Sequence, residues 1–217
     1  MLWIHAGPHK AASSYVTERL RKNRTTLAAQ RVLMDGDNNL LANSIAEKNY
    51  QPLEQALSGL PSDFQRILIS SSSLDTRILK RSVLTVLHDM ASSYGFKLGI
   101  SYFIRDQQSW LNSVYCHRVR RFRSTQDFPD YCRYIMNNSS SWDISYPSKF
   151  SPLKDYPEIV KMFLPLSRLV EITDPFLALT SALGLKEPPG LGWLKGEPSK
   201  KNIQPGAKGI WMSRICY

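Results

Sequence analysis

Near the amino terminus, one short run concentrates a glycine, a lysine and two serines: His5-Ala6-Gly7-Pro8-His9-Lys10-Ala11-Ala12-Ser13-Ser14. It follows the apolar stretch Leu2 to Ile4 and precedes helical spacing from about Ser14 to Lys22. Gly7 allows a tight turn and Lys10 supplies positive charge where the helix begins. Ser13 and Ser14 add hydroxyls and backbone N–H groups at a helix start. Such an end carries unsatisfied donors and a partial positive charge, which suits a phosphate. The same residues also fit an N-capped helix after an edge turn. The pattern G-x-x-x-x-G-K-[ST] is absent, which argues against an ordinary ATPase or GTPase. A second group is Arg105 with Ser113, after the apolar run Lys97 to Ile104. Arginine offers a rigid fork of donors to phosphate and serine adds a neutral one. The alternative is a strand-end arginine paired with Asp106.

The elements that must hold these groups alternate between short apolar runs and helix-like segments. Leu2 to Ile4, Arg31 to Met34, Gln65 to Ser70, Lys97 to Ile104 and Arg168 to Ile172 read as strands. Helical spacing covers Ser14 to Lys22, Pro52 to Leu60, Leu74 to Tyr94, Gln108 to Arg121, Phe128 to Met136 and Pro175 to Leu185. Alternation of this kind predicts an α/β fold of three layers, a mainly parallel central sheet flanked by helices. Ligands of open α/β sheets bind at the carboxyl ends of the strands, where both groups fall. Residues 137–141 and 190–209 read as loops, and the whole of 1–217 as one domain.

Composition bounds the partners. The chain has 217 residues, 42% of them apolar, enough for a sizeable core, and a formal charge of +10 that favours anionic partners. Cys116, Cys132 and Cys216 are odd in number and lack C-x-x-C spacing. A zinc site or disulfide framework is therefore not expected, and reduced thiols in a cytoplasmic setting are. Neither a signal-peptide pattern nor a transmembrane-length apolar run of roughly 18 residues is visible.

The two polar groups resemble those of the PAPS-dependent sulfotransferases of bacterial type, which use 3′-phosphoadenosine 5′-phosphosulfate (PAPS) and have a P-loop NTPase-like fold. That family carries H-x-G-x-H-K-T-G-[ST]-[ST] after its first strand; here Ala11 and Ala12 replace Thr and Gly. The resemblance implies that Gly7, Pro8, His9, Lys10, Ala11, Ala12, Ser13 and Ser14 surround the 5′-phosphosulfate, with Lys10 stabilising the leaving group. It implies that Arg105 and Ser113 hold the 3′-phosphate, and that Lys201 and Asn202 belong to a basic loop closing over the nucleotide. It implies no metal. Many relatives place a glutamate base in the turn after the third strand, where Ser72 stands, so His9 and Asp75 are the substitute candidates. The acceptor would carry a hydroxyl or amine. The basic run His117-Arg118-Val119-Arg120-Arg121-Phe122-Arg123 makes an anionic saccharide one candidate, though such a run also fits a solvated helix face. No sequence-specific nucleic-acid module is recognisable. The competing readings are a catalytically degraded relative acting by binding, and a P-loop kinase of small molecules.

Overall fold

The computed structural model describes residues 1–8, 11–36, 38–121, 123–138, 144–166 and 174–195. Its first strand, β1 (Leu2–Ala6), is buried at every position. A strand covered on both faces belongs in the middle of a parallel sheet, and β1 lies there. Among the described residues the sheet has five strands, in the order β2-β3-β1-β4-β5. The others are β2 (Val32–Met34), β3 (Arg66–Ser70), β4 (Leu98–Ile104) and β5 (Val160–Pro165), and every pairing is parallel.

Parallel neighbours need crossovers. Between β1 and β2 run α1 (Ser13–Lys22) and α2 (Arg24–Ala29); between β2 and β3, α3 (Leu40–Glu47) and α4 (Gln51–Ser58). After β3 come a 3-10 turn (Ser72–Leu74), α5 (Asp75–Ile78) and α6 (Arg81–Ser93). Between β4 and β5 lie α7 (Gln107–Arg120), α8 (Phe128–Asn138), α9 (Tyr146–Phe150) and a 3-10 turn (Ser151–Asp155), and α10 (Pro175–Ala182) follows β5.

Successive strand residues face opposite sides, so the sheet divides two cores. On one side Leu2, Ile4, Ile67, Ile69, Ile100 and Tyr102 meet α3, α4 and α6 through Ile45, Leu53, Leu84 and Leu87. On the other, Trp3, Leu68 and Phe103 meet α1 and α10 through Val16, Leu20, Phe176 and Leu179. Gly99 is required there: a Cβ would approach the Trp3 ring to 2.4 Å. Tyr115, Cys116, Val119 and Tyr131 form a small third cluster joining α7 to α8.

The structure bears out the α/β class and the parallel sheet. The helix expected over Leu74 to Tyr94 is broken at Lys80, which is extended (ψ 130°). The Lys80 carbonyl accepts from the N–H groups of Val83 and Leu84, both at 2.9 Å. The break lets Leu74, Ile78 and Leu79 before it, and Val83, Leu84 and Leu87 after it, all enter one core. The α10 helix ends at Ala182, and Gly184 (φ +69°) turns the chain away. Neither β5, α2, α3 nor α9 was foreseen. The strand expected at Arg168 to Ile172 lies outside the described residues. Among the described residues, no helix is long and apolar enough to cross a membrane.

Candidate functional site

The register brings the two polar groups to one edge. His5 is paired with Ser101 and Ala6 with Tyr102, so the chain leaves β1 at Gly7 beside the point where β4 ends before Arg105. On the other flank, His5 is paired with Ser70, so the turn Ser71 to Asp75 leaves β3 next to Gly7. Three loops therefore share the carboxyl edge. The chain departs from β1 toward β2 and from β4 toward β5, in opposite directions, and such a divergence opens a crevice between adjacent strands.

The loop after β1 is tight. Gly7 and Pro8 are buried, and the Ala11 N–H donates to the Pro8 carbonyl at 3.0 Å. A Cβ on Gly7 would approach Ser13 Oγ to 2.8 Å, so the loop folds this closely only with glycine. Ala12 adopts a left-handed conformation (φ 58°, ψ 1°) at the N-cap of α1, which has no side-chain cap. The first turn of α1 thus presents N–H groups lacking intrahelical acceptors. Ser13 is buried against Gly7, and its hydroxyl has no hydrogen-bond partner among the described residues; Ser14 is exposed. His9, Lys10, Lys201 and Asn202 lie outside the described residues.

Beneath the loop is a buried polar row. His5 is fully buried, its Nδ1 sharing a 2.7 Å hydrogen bond with Ser70 Oγ, which in turn is 2.8 Å from Thr17 Oγ1. Thr17 also donates to the Ser70 carbonyl at 3.3 Å, fixing α1 to β3. Burial pushes the His5 imidazole down to about 3, so it is neutral at pH 7. The Phe103 ring meets it edge-on at 5.1 Å.

The wall at the end of β4 is braced by a residue that sequence reasoning left without a role. The Tyr146 hydroxyl accepts from the Arg105 N–H at 3.1 Å and donates to the Arg105 carbonyl, holding both main-chain groups of that residue. Burial pushes the Tyr146 phenol above its usual range, so it keeps its proton at neutral pH. Asp106 caps α7, accepting from the Ser109 N–H at 2.7 Å; that bond holds its carboxyl below the ordinary value. Ser113 is half-buried, one turn beyond Ser109 on the same face of α7.

Across the edge, Ser72 is half-buried in the turn after β3, and Ser71 closes that turn by accepting from the Ser73 N–H at 3.2 Å. Asp75 is 2.7 Å from the ammonium of Lys149, whose side chain is 1% exposed. The Lys149 ammonium also lies 5.3 Å from the centroid of the Tyr102 ring. Lys149 escaped sequence reading: a lysine in a polar stretch carries no signal of burial. The basic run falls at the end of α7, where His117, Arg118 and Arg120 occupy the last turn. Cations there complement the helix dipole, and Arg118 also lies over Tyr131.

No protein-family model matches the chain, and comparison with the curated proteins found no match. Among solved structures it is similar to a mouse sulfotransferase, SULT7A1, complexed with PAP. The TM-score is 0.50 and the identity 14%; the match covers 86% of this chain and 60% of that one. The chain thus spans about 60% of the length of the sulfotransferase it matches, and at this identity the likeness establishes the fold. The fold is that of a sulfotransferase: a mostly parallel five-stranded sheet flanked by helices. Among the described residues, no group of three or more His, Cys, Asp or Glu side chains could hold a metal ion.

Proposed function

We propose that this chain transfers a sulfuryl group from PAPS to a hydroxyl or amine acceptor. One observation carries the reading: the Gly7 loop with the α1 N-terminus, and Arg105 with Ser113, leave adjacent parallel strands at the same edge. A nucleotide lying across that edge would place one phosphate at each. The residues fit such a ligand, with Gly7 allowing close backbone approach, the first N–H groups of α1 lacking a side-chain cap, and Ser14 exposed. PAP in the mouse sulfotransferase of similar fold supports the same donor.

In the reaction, the bond between the sulfate sulfur and the 5′-phosphate oxygen breaks while one from sulfur to the acceptor atom forms. The acceptor's proton passes to a base and PAP is released. Charge builds on the departing phosphate oxygen, so positioned positive charge accelerates the step. Lys10 would supply it, Ser13, Ser14 and the α1 amides would hold the 5′-phosphate, and Arg105 and Ser113 the 3′-phosphate. Lys201 and Asn202 would close over the nucleotide, and residues 1–217 would act as one domain. For the base, His9 is the better candidate, because Asp75 is committed to Lys149. The acceptor would be small or a saccharide, an anionic one matching the charge of +10.

A second reading, nucleotide binding without turnover, is favoured by Ala12 in a left-handed conformation that suits glycine. Thermal unfolding with PAP, for wild type and Lys10→Ala, is the decisive first test. Ligand at about a hundred times its Kd adds roughly 2.7 kcal/mol, which raises Tm by about 5 to 11 °C for a domain of this size. A shift that shrinks in Lys10→Ala is expected, and ATP with Mg²⁺ should give a much smaller one. No shift at saturating PAP would sink the donor assignment, and an ATP-Mg²⁺ preference would favour a kinase. A shift without PAPS turnover would favour the binding protein.

A further inference from the structure

The short helix α9 touches both walls of the proposed nucleotide site. Tyr146, its first residue, holds the main chain of Arg105 at the end of β4. Lys149, one turn later, reaches Asp75 at the start of α5, 2.7 Å away. Between them the helix packs through Phe150, whose ring stacks on Tyr146 at 5.8 Å and meets Tyr102 of β4 edge-on at 4.9 Å. The span is therefore tied to the start of α5, to the body of β4 and to the residue that follows it.

The Tyr146 contact is specific in kind. Beyond the last paired residue a strand's N–H and C=O normally turn to water, and the backbone there is free to rotate. One phenol occupying both groups of Arg105 fixes its φ and ψ, and with them the direction in which the side chain leaves the strand. A guanidinium reads phosphate through a planar fork, so its value depends on being aimed in advance.

We infer that Tyr146 is a positioning residue that acts through the Arg105 main chain to set discrimination for nucleotides bearing a 3′-phosphate, with the Lys149–Asp75 ion pair bracing its helix. This rests on the reading of Arg105 as the 3′-phosphate ligand. Tyr146 contacts no ligand itself in this scheme; its hydroxyl is spent on the peptide.

The test is the affinity for PAP and for adenosine 5′-phosphate, which lacks the 3′-phosphate, measured calorimetrically on wild type, Tyr146→Phe, Arg105→Ala and the double variant. Tyr146→Phe removes one oxygen and keeps the ring against Phe150, and amide exchange reports its local effect. The Arg105 amide should exchange faster while those of Ser101 to Phe103 stay protected. The preference for PAP should fall about tenfold, which is about 1.4 kcal/mol, with affinity for adenosine 5′-phosphate unchanged. In the Arg105→Ala background the second substitution should add nothing. Equal loss for both nucleotides, additive effects in the double variant, or unchanged exchange at Arg105 would each overturn the inference. A wild type that binds both nucleotides equally would overturn the assignment of Arg105 as well, and so is distinguishable from failure of Tyr146 alone.

Discussion

His5 shows how a side chain with chemical potential is turned into structure. Its imidazole lies under the loop, hydrogen-bonded to Ser70, and burial lowers it from 6.5 to about 3. Between those two pH values the unfolded chain binds a proton that the folded chain does not. The stability this site contributes is therefore complete above pH 6.5 and is lost as pH falls toward 3, at up to about 1.4 kcal/mol per pH unit. Urea unfolding between pH 7 and 4 should show this slope in wild type and a shallower one in His5→Asn, which is also less stable at pH 7. Parallel slopes would remove His5 as their source. Sequence reading placed His5 within the loop motif and gave it no further role, because neutrality comes from the strands on either side. Arg105 and Ser113 were singled out for the opposite reason: their spacing along one strand-to-helix junction is local. Tyr146 was not, since its partner is brought near only by the fold.

Among the elements, β1, β3 and β4 were readable because central parallel strands are continuous apolar runs, buried at nearly every position. β5 was missed although Val160 to Leu164 is mostly apolar. Among the described residues it lies at the edge of the sheet with half its residues exposed, and Lys161 interrupts the run. The start of α1 holds a conflict between sequence and conformation. Ala12 takes φ 58°, a region that penalises a Cβ by about 1–2 kcal/mol. Glycine removes that penalty but loses more backbone freedom on folding, by about 0.4–1 kcal/mol. Ala12→Gly should therefore raise stability by up to about 1.6 kcal/mol, read as a higher urea midpoint with an unchanged m-value. A lower midpoint would mean that the alanine methyl makes compensating contacts. The break at Lys80 was invisible to periodicity, since the apolar spacing on each side continues a helix.

For the molecule as a unit, the class of fold followed from alternation alone, whereas the order of strands, and hence the meeting of two distant polar groups, did not. Net charge acts on this scale too. With +10 on the chain, an anionic nucleotide should be drawn in by long-range attraction, which ions screen. The Debye length falls from about 30 Å at 0.01 M salt to about 8 Å at 0.15 M. Stopped-flow measurements should show the association rate of PAP dropping over that range while its dissociation rate changes little. An unaltered association rate would assign capture to short-range contacts. The central place of β1 has one more consequence, in the order of assembly. Leu2 to Ala6 leave the ribosome well before their neighbours, Ile67 to Ser70 and Leu98 to Tyr102. Pairings so distant in sequence close slowly, and nascent apolar strands are prone to aggregate meanwhile. The loop after β1 should therefore be among the last parts to acquire its shape, and a nascent chain halted before β4 would expose one flank of β1.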